Sequence, residues 1–348
     1  LDYTDSTCPK LLLEPQRINL SRYSEQLDNA VWPAAGCSVT ANAIVSPDGT
    51  LNADYIVENS AASTQHRIQT TLLGGTNAIH TISIFVKQGT GNRSAYIDNG
   101  PFYCYYNFTT GVITATGGTA SVQDYGSGWY RLTLTSTAAL TPTTLYIGLA
   151  SGTSETYSGD GTSSIAFWGA QVEAGSYATS YIGPTLGAAS TRGQDGAFKA
   201  GISSLIGQTE GVAFIDFVWN GLTGTGSYPR VMELWADSSN YLQFYTVAGD
   251  ATVYWEIKNA GVVQFAGNTS MSLGHNKIAI GYKLNDMVIY KNGSLIASDA
   301  TCTVPSTSAL GVAGSYSGAG AQLAASVNQA LLFTTRLPNA SLAELTTI

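Results

Sequence analysis

Four acids in the second half of the chain, Asp216, Glu233, Asp237 and Glu256, are the side chains whose chemistry has to be weighed first. A carboxylate pair cleaves a glycosidic bond when held about 5–5.5 Å apart (retaining) or about 6.5–9.5 Å apart (inverting). Glu233 and Asp237, in "MELWAD", share a face of an extended strand but stand about 13 Å apart by strand rise. The alternating acid pattern E-x-D-x-x-E is missing. We therefore expect no catalytic residues and no enzyme, unless acids from different strands converge. The histidines, His66, His80 and His275, all flank extended segments, where a surface or strand-end role is commoner than that of a base. No G-x-S-x-G, H-E-x-x-H or phosphate-binding glycine loop occurs. The cysteines, Cys8, Cys37, Cys104 and Cys302, lack the C-x-x-C spacing of a zinc or redox site. They read as free, buried thiols, with Cys8–Cys37 the leading disulfide alternative.

Aromatic side chains offer different chemistry. Sugar rings lay their C–H faces on Tyr and Trp, while Asn, Asp and Gln bond the hydroxyls. In "YIDNGPFYCYYNF", Tyr103 and Tyr105 share one face of a strand, and Cys104 and Tyr106 share the other. If the cysteine face is the core, Tyr103 and Tyr105 project outward as a platform; the alternative is that all of them fill the core. In "ELWADSSNYLQFY", Trp235 and Tyr241 sit on neighbouring strands with Asp237 and Asn240 at the turn between them. This is a second candidate site, with ordinary hairpin packing as its alternative. Trp129 and Trp168 read as core.

Positioning such residues is the task of many short strands. Charged residues are 11% of the 348, hydrophobic residues 44%, and there are 38 Gly and 20 Tyr. Polarity supplied by Ser, Thr, Asn and Gly, with Thr/Val/Ile/Tyr runs between turns, is the profile of an all-β protein. Alternating segments such as "HTISIFVKQG", "GWYRLTLTST" and "SSIAFWGAQVEAG" recur about every ten residues without helical periodicity, which points to sandwiches or jelly rolls. "YKNGSLIAS" is the clearest hairpin, with Asn292-Gly293 suited to a type I′ turn. "LPNASLAELTTI" reads as one short helix with Asn339 as its cap. Tyr181 to Gly196, rich in Gly with Pro184, has boundary composition. We expect a lead-in over 1–16, a first sandwich over 17–183, a linker over 184–196 and a second sandwich over 197–348. The net charge of −8 argues against nucleic acid, and no apolar run is long enough to span a membrane as a helix. The start at Leu1 rather than Met leads us to expect a fragment or processed product.

"LLLEPQRINLSRYSEQLDNAVW", "SPDGTLNADYIVEN" and "GDGTSSIAFWGAQVEAGSYATSYI" together resemble a module of bacteriophage tail fibres and tail-tip proteins, which is itself similar to jelly-roll carbohydrate-binding modules. The resemblance covers roughly Leu11 to Ile182. Ile18 stands where the family usually has Thr, and Gly183 precedes its usual Pro-Thr. From "TRGQDG" onward, through "KIAIGYKLNDMVIYKNGSLIAS", the chain is similar to a concanavalin A-like (laminin-G-like) lectin domain. The resemblance implies a non-catalytic, receptor-binding role on a phage tail. Its partners would be a bacterial surface polysaccharide and other tail proteins, with assembly as a homotrimer in the virion. Two alternatives are the accessory modules of a secreted bacterial glycan-binding or glycan-degrading protein, and a purely structural virion decoration. No cofactor is required. Jelly-roll modules often hold a structural Ca2+ where first and last strands meet. Glu25, Asp28 and Glu173 are the acids near those ends, without a fixed-spacing loop.

Overall fold

The computed structural model describes residues 11–185, 187–193, 195–219, 228–247, 250–314, 323 and 325–348. The chain is all-β, with two β-sandwich units and one short C-terminal helix. One compact unit is Arg17–Arg192, and the other joins Leu1–Gln16 to Gly193–Ile348.

In the Arg17–Arg192 unit, one sheet runs Val112–Thr116, Tyr103–Asn107, Ser94–Asp98, Thr144–Ala150, Thr64–Thr71 and Thr156–Tyr157, with Ala34–Ala35 also paired to Thr64–Thr71. The facing sheet runs Gly118–Gly126, Trp129–Ser136, His80–Gln88, Ser164–Ala174, Leu51–Glu58 and Cys37–Val45. Every pairing is antiparallel, so alternate residues point into the gap between the sheets. Ile68, Ile97, Cys104, Ile147, Ile84, Leu132 and Phe167 fill it. A smaller cluster on the other face of the second sheet buries Trp129 and Trp168 with Phe85 and Tyr181. The Tyr181 hydroxyl meets Ser24 Oγ at 2.7 Å and helps hold the closing segment against the opening one.

The second unit is built the same way. One sheet runs Leu11–Leu13, Ala325–Phe333, Glu210–Trp219, Gly274–Lys283, Asp286–Lys291 and Ser294–Asp299. The other runs Ala197–Ala200, Ala309–Val312, Arg230–Asp237, Asn240–Thr246, Thr252–Asn259 and Val262–Ser270. Asn292 and Gly293 take φ of 49° and 82°, the positive values a type I′ hairpin needs. The helix Asn339–Thr346 lays Leu342 on Val212, Phe214 and Ala279, outside the first of these sheets. Asn339 is not its cap. Pro338 holds that position, and Asn339 Oδ1 accepts a 2.7 Å bond from Arg336 Nη2.

Two segments differ from their sequence reading. Within 1–16, Leu11–Leu13 is an edge strand that pairs with Ala325–Val327 and buries Leu13 in the second core. Within 184–196, Ser190–Arg192 pairs with Arg17–Asn19. In both cases an unpaired strand edge takes up a short segment whose backbone would otherwise bond only to water. Among the described residues no helix is long and apolar enough to cross a membrane.

Candidate functional site

Alternation along Tyr103–Asn107 separates the tyrosines. Cys104 (0% exposed) and Tyr106 (3%) face the core, while Tyr103 and Tyr105 are half-buried on the opposite face. Strand register then builds two rows across that outer face. Tyr105 stands opposite Tyr96, Tyr96 opposite Gly148, and Gly148 opposite Arg67. One step along, Tyr103, Asp98, Tyr146 and Gln69 follow in the same order. The Tyr103 and Tyr105 rings meet edge to face, with centroids 5.7 Å apart and planes at 70°. Tyr96 supports Tyr105 from the next strand at 6.0 Å. Arg67 lies 4.0 Å above the Tyr146 ring, with its Nη1 3.9 Å from Glu155.

Gly148 is what lets Tyr96 and Arg67 share a row. A Cβ there would come within 2.4 Å of the His66 carbonyl oxygen and 2.8 Å of the Arg67 Cα. Burial pushes the Tyr105 hydroxyl up to about 12, so it stays a proton donor at neutral pH; Tyr96, fully buried and also raised by burial, backs Tyr105 rather than facing solvent. Burial also raises Asp98, opposed by the Gly100 amide and by Arg67. This face therefore combines ring surface, hydroxyl donors, a guanidinium and carboxylates.

The sequence pointed to Tyr103 and Tyr105 but not to Arg67, Asp98, Tyr146 or Glu155. Alternation assigns faces, whereas neighbours across a sheet depend on register. An arginine and a tyrosine on facing alternate positions of "QHRIQT" and "TLYIGLA" were the available signal.

The second candidate site is arranged differently. Trp235 and Tyr241 are opposite each other and stacked, with centroids 5.4 Å apart and planes at 11°. On the far side, Lys258 Nζ lies 5.3 Å from the Tyr241 ring centre. Tyr241 is 7% exposed and its hydroxyl donates to Glu256. Both its faces are occupied, so it offers no platform. Asp237 accepts from the Ser239 amide at 2.7 Å and from Asn240 Nδ2, and Asn240 Oδ1 accepts from the Ala260 amide at 2.9 Å. Those two side chains hold turns.

The four acids do not converge. Glu233 and Glu256 flank Gln243 in one row, two strand spacings or about 10 Å apart at the backbone. Glu233 is buried against Arg230 Nε at 3.3 Å. Asp216 is in the other sheet, where it meets His275 Nε2 at 2.5 Å and accepts a 2.7 Å bond from Asn328.

Of the three acids considered for Ca2+, Glu173 and Glu25 are engaged separately. Glu173 is buried and accepts from the Thr179 amide (2.8 Å), Thr179 Oγ1 (3.0 Å) and Gln171 Nε2, with Arg17 Nε at 3.9 Å. Glu25 accepts from Asn52 Nδ2 at 3.3 Å, and Asp28 is exposed. Among the described residues no three His, Cys, Asp or Glu side chains gather as a metal site. His66 and His80 are buried on backbone carbonyls of Gly36 and Ala78. Cys37, Cys104 and Cys302 are free thiols. Cys8, and with it a Cys8–Cys37 disulfide, lies outside the described residues.

No family model and no curated protein matches the chain. Several solved structures share part of its outline. The Ruminococcus gnavus IT-sialidase CBM40 is 11% identical over 44% of this chain and 97% of its own, with a TM-score of 0.35. The NanB sialidase of Streptococcus pneumoniae is 14% identical over 43% of this chain and 27% of its own, also at 0.35. Sheep galectin-11 is 9% identical over 40% of this chain and 97% of its own, at 0.27.

Proposed function

We propose that this chain is a non-catalytic glycan-binding protein, with the sugar held on the tyrosine face of the Arg17–Arg192 sandwich. The observation that carries the reading is the pair of outward rows. Tyr103 and Tyr105 present ring surface beside Arg67, which covers one face of Tyr146, and beside Asp98, Gln69 and Glu155. Apolar surface with a few placed polar groups is what a sugar ring requires, since one of its faces is C–H and its rim is hydroxyl.

Hydroxyls exchanged from water to protein give little net energy, so a single site of this kind is weak. Linked copies raise avidity by about 10² to 10⁴ without new contacts. That arithmetic is the physical reason for the finer reading: a receptor-binding part of a phage tail fibre, trimeric in the virion, attaching to a bacterial surface polysaccharide. What supports the phage placement is the sequence resemblance.

The test is a bacterial glycan array probed with the chain displayed multivalently, followed by titration of any hit. Replacing Tyr103 and Tyr105 together by Ala removes two ring contacts at about 0.5–1.5 kcal/mol each, an expected loss of roughly five- to 150-fold. Trp235→Ala is expected to leave the titration unchanged. Undiminished binding by the double variant sinks the site, and release of reducing ends from any glycan sinks the non-catalytic reading.

A further inference from the structure

The strands Gly118–Gly126 and Trp129–Ser136 end the six-stranded sheet of the Arg17–Arg192 sandwich, the sheet facing away from the tyrosine rows. Their inward residues Val122, Leu132 and Leu134 join the core. Outward, Thr119 pairs with Thr135, Ser121 with Thr133 and Gln123 with Arg131. With the segment 176–178 as its other wall, this hydroxyl-bearing surface forms a groove of about 490 Å³.

Arg131 lines that groove and is only 6% exposed. Its Nη2 donates to Ser83 Oγ at 2.9 Å and to the Thr179 carbonyl at 2.7 Å, both neutral acceptors. Its guanidinium rests 5.3 Å from the Phe85 ring centre, and among the described residues its Nε has no acceptor. Among the described residues no carboxylate pairs with it. Arg17, Arg67 and Arg93 in the same unit face Glu173, Glu155 and Glu58. Burying a cation without a counter-charge is costly, and here the buried cation borders an open groove lined with hydroxyls.

We propose that this groove is a second binding site, separate from the tyrosine face, which takes an acidic saccharide. A carboxylate or sulfate supplies the missing counter-charge at Arg131. Ring hydroxyls bond Thr119, Ser121, Gln123, Thr133 and Thr135. A small inorganic anion would satisfy the guanidinium but leave most of the groove, which is of ordinary ligand-site volume, to water. The two sites lie on opposite sheets, so each is open to ligand while the other is filled.

The experiment is calorimetric titration of the full 348-residue chain with glucuronic acid, galactose 6-sulfate, galactose and inorganic sulfate. Saturable binding of both acidic sugars is expected, with galactose and inorganic sulfate at least about tenfold weaker, because a charge-assisted bond and the hydroxyl contacts act together. Arg131→Gln is expected to abolish it. Because Arg131 also holds Thr179, Ser121→Trp is the deciding variant. It fills the groove from an exposed strand position and leaves every bond of the guanidinium in place. The Tyr103→Ala, Tyr105→Ala pair is expected to bind acidic sugars normally. The proposal is overturned by no binding of either acidic sugar, by equal binding of inorganic sulfate, by binding that survives Ser121→Trp, or by binding lost in the tyrosine variant.

Discussion

Gly148→Ala is the sharpest probe of the tyrosine face, because it adds one methyl group where two strands pass with nothing between them. The new Cβ would sit 2.4 Å from the His66 carbonyl oxygen and 2.8 Å from the Arg67 Cα. Both are backbone atoms, so no side chain can rotate away. Restoring ordinary contact near 3.5 Å requires the strands Thr144–Ala150 and Thr64–Thr71 to part locally by about 1 Å. Overpacking of this kind costs about 1–3 kcal/mol, and a stretched ladder bond adds about 1 kcal/mol. Against that, alanine narrows the unfolded ensemble by about 0.4–1 kcal/mol. The net expectation is about 1–3.6 kcal/mol, or roughly 2–14 °C in the melting of a unit this size.

Scanning calorimetry of the full chain reads the shift, with Gly183→Ala as control. That glycine is exposed, and its added Cβ would meet nothing closer than Glu25 Oε1 at 3.8 Å. Glycan titration is expected to weaken in Gly148→Ala as well, since Tyr96 and Arg67 flank the altered residue in one row. A Gly148→Ala melting temperature within about 1 °C of the parent, below the shift worth even half a kcal/mol, would refute the strand register from which the site is built.

Other outcomes follow from the same structure. Asp160 accepts from the Ser163 amide and hydroxyl at 2.7 and 2.6 Å and from the Thr162 amide at 2.7 Å, which holds its carboxyl well below the usual range. A depressed folded pKa stabilises above the unfolded carboxylate value and is lost as pH falls through the folded one. Acid titration of the parent is therefore expected to lose more stability below about pH 4 than Asp160→Asn does; parallel acid profiles would remove this role. Burial pushes the Cys37 thiol up to about 11 and that of Cys104 up to about 12. Alkylation at pH near 8, read by peptide mass spectrometry, is expected to spare Cys104 in the native chain and label it in denaturant. Native labelling of Cys104 at the rate of a free thiol would contradict its place in the core.

How much was legible in the sequence depended on the distance over which each feature is decided. The face assignment of Tyr103, Cys104, Tyr105 and Tyr106 needed only alternation, and burial follows it. The Asn292-Gly293 hairpin needed only two residues that accept positive φ. Leu11–Leu13 read as a lead-in because its partner Ala325–Val327 lies at the other end of the chain. Asn339 looked like a cap by type and position, yet Arg336, three residues earlier, claims its side chain. Register across sheets was the missing quantity throughout. It brought Arg67 to Tyr96, set Glu233 and Glu256 in a row with Gln243 between them, and left Asp216 in a different sheet.

Register also separates aromatic residues that composition cannot. Trp235 and Tyr241 looked as good a platform as Tyr103 and Tyr105, because in the sequence both pairs are strand aromatics next to polar turns. In the second sandwich the pair sits directly across a hairpin, so the rings stack on each other, and Lys258 closes the remaining face of Tyr241. Tyr103 and Tyr105 lie two apart on one strand, and their near-perpendicular contact spends the edge of one ring and one face of the other, where a stacked pair spends a face of each. A sugar binds to ring faces that the protein has not already used. Counting tyrosines on a surface therefore overstates binding capacity wherever aromatics pair across strands, and understates it where they follow one another along a strand beside an arginine and carboxylates. On that criterion the outer face of the first sandwich offers more unused ring surface than the Trp235–Tyr241 hairpin of the second.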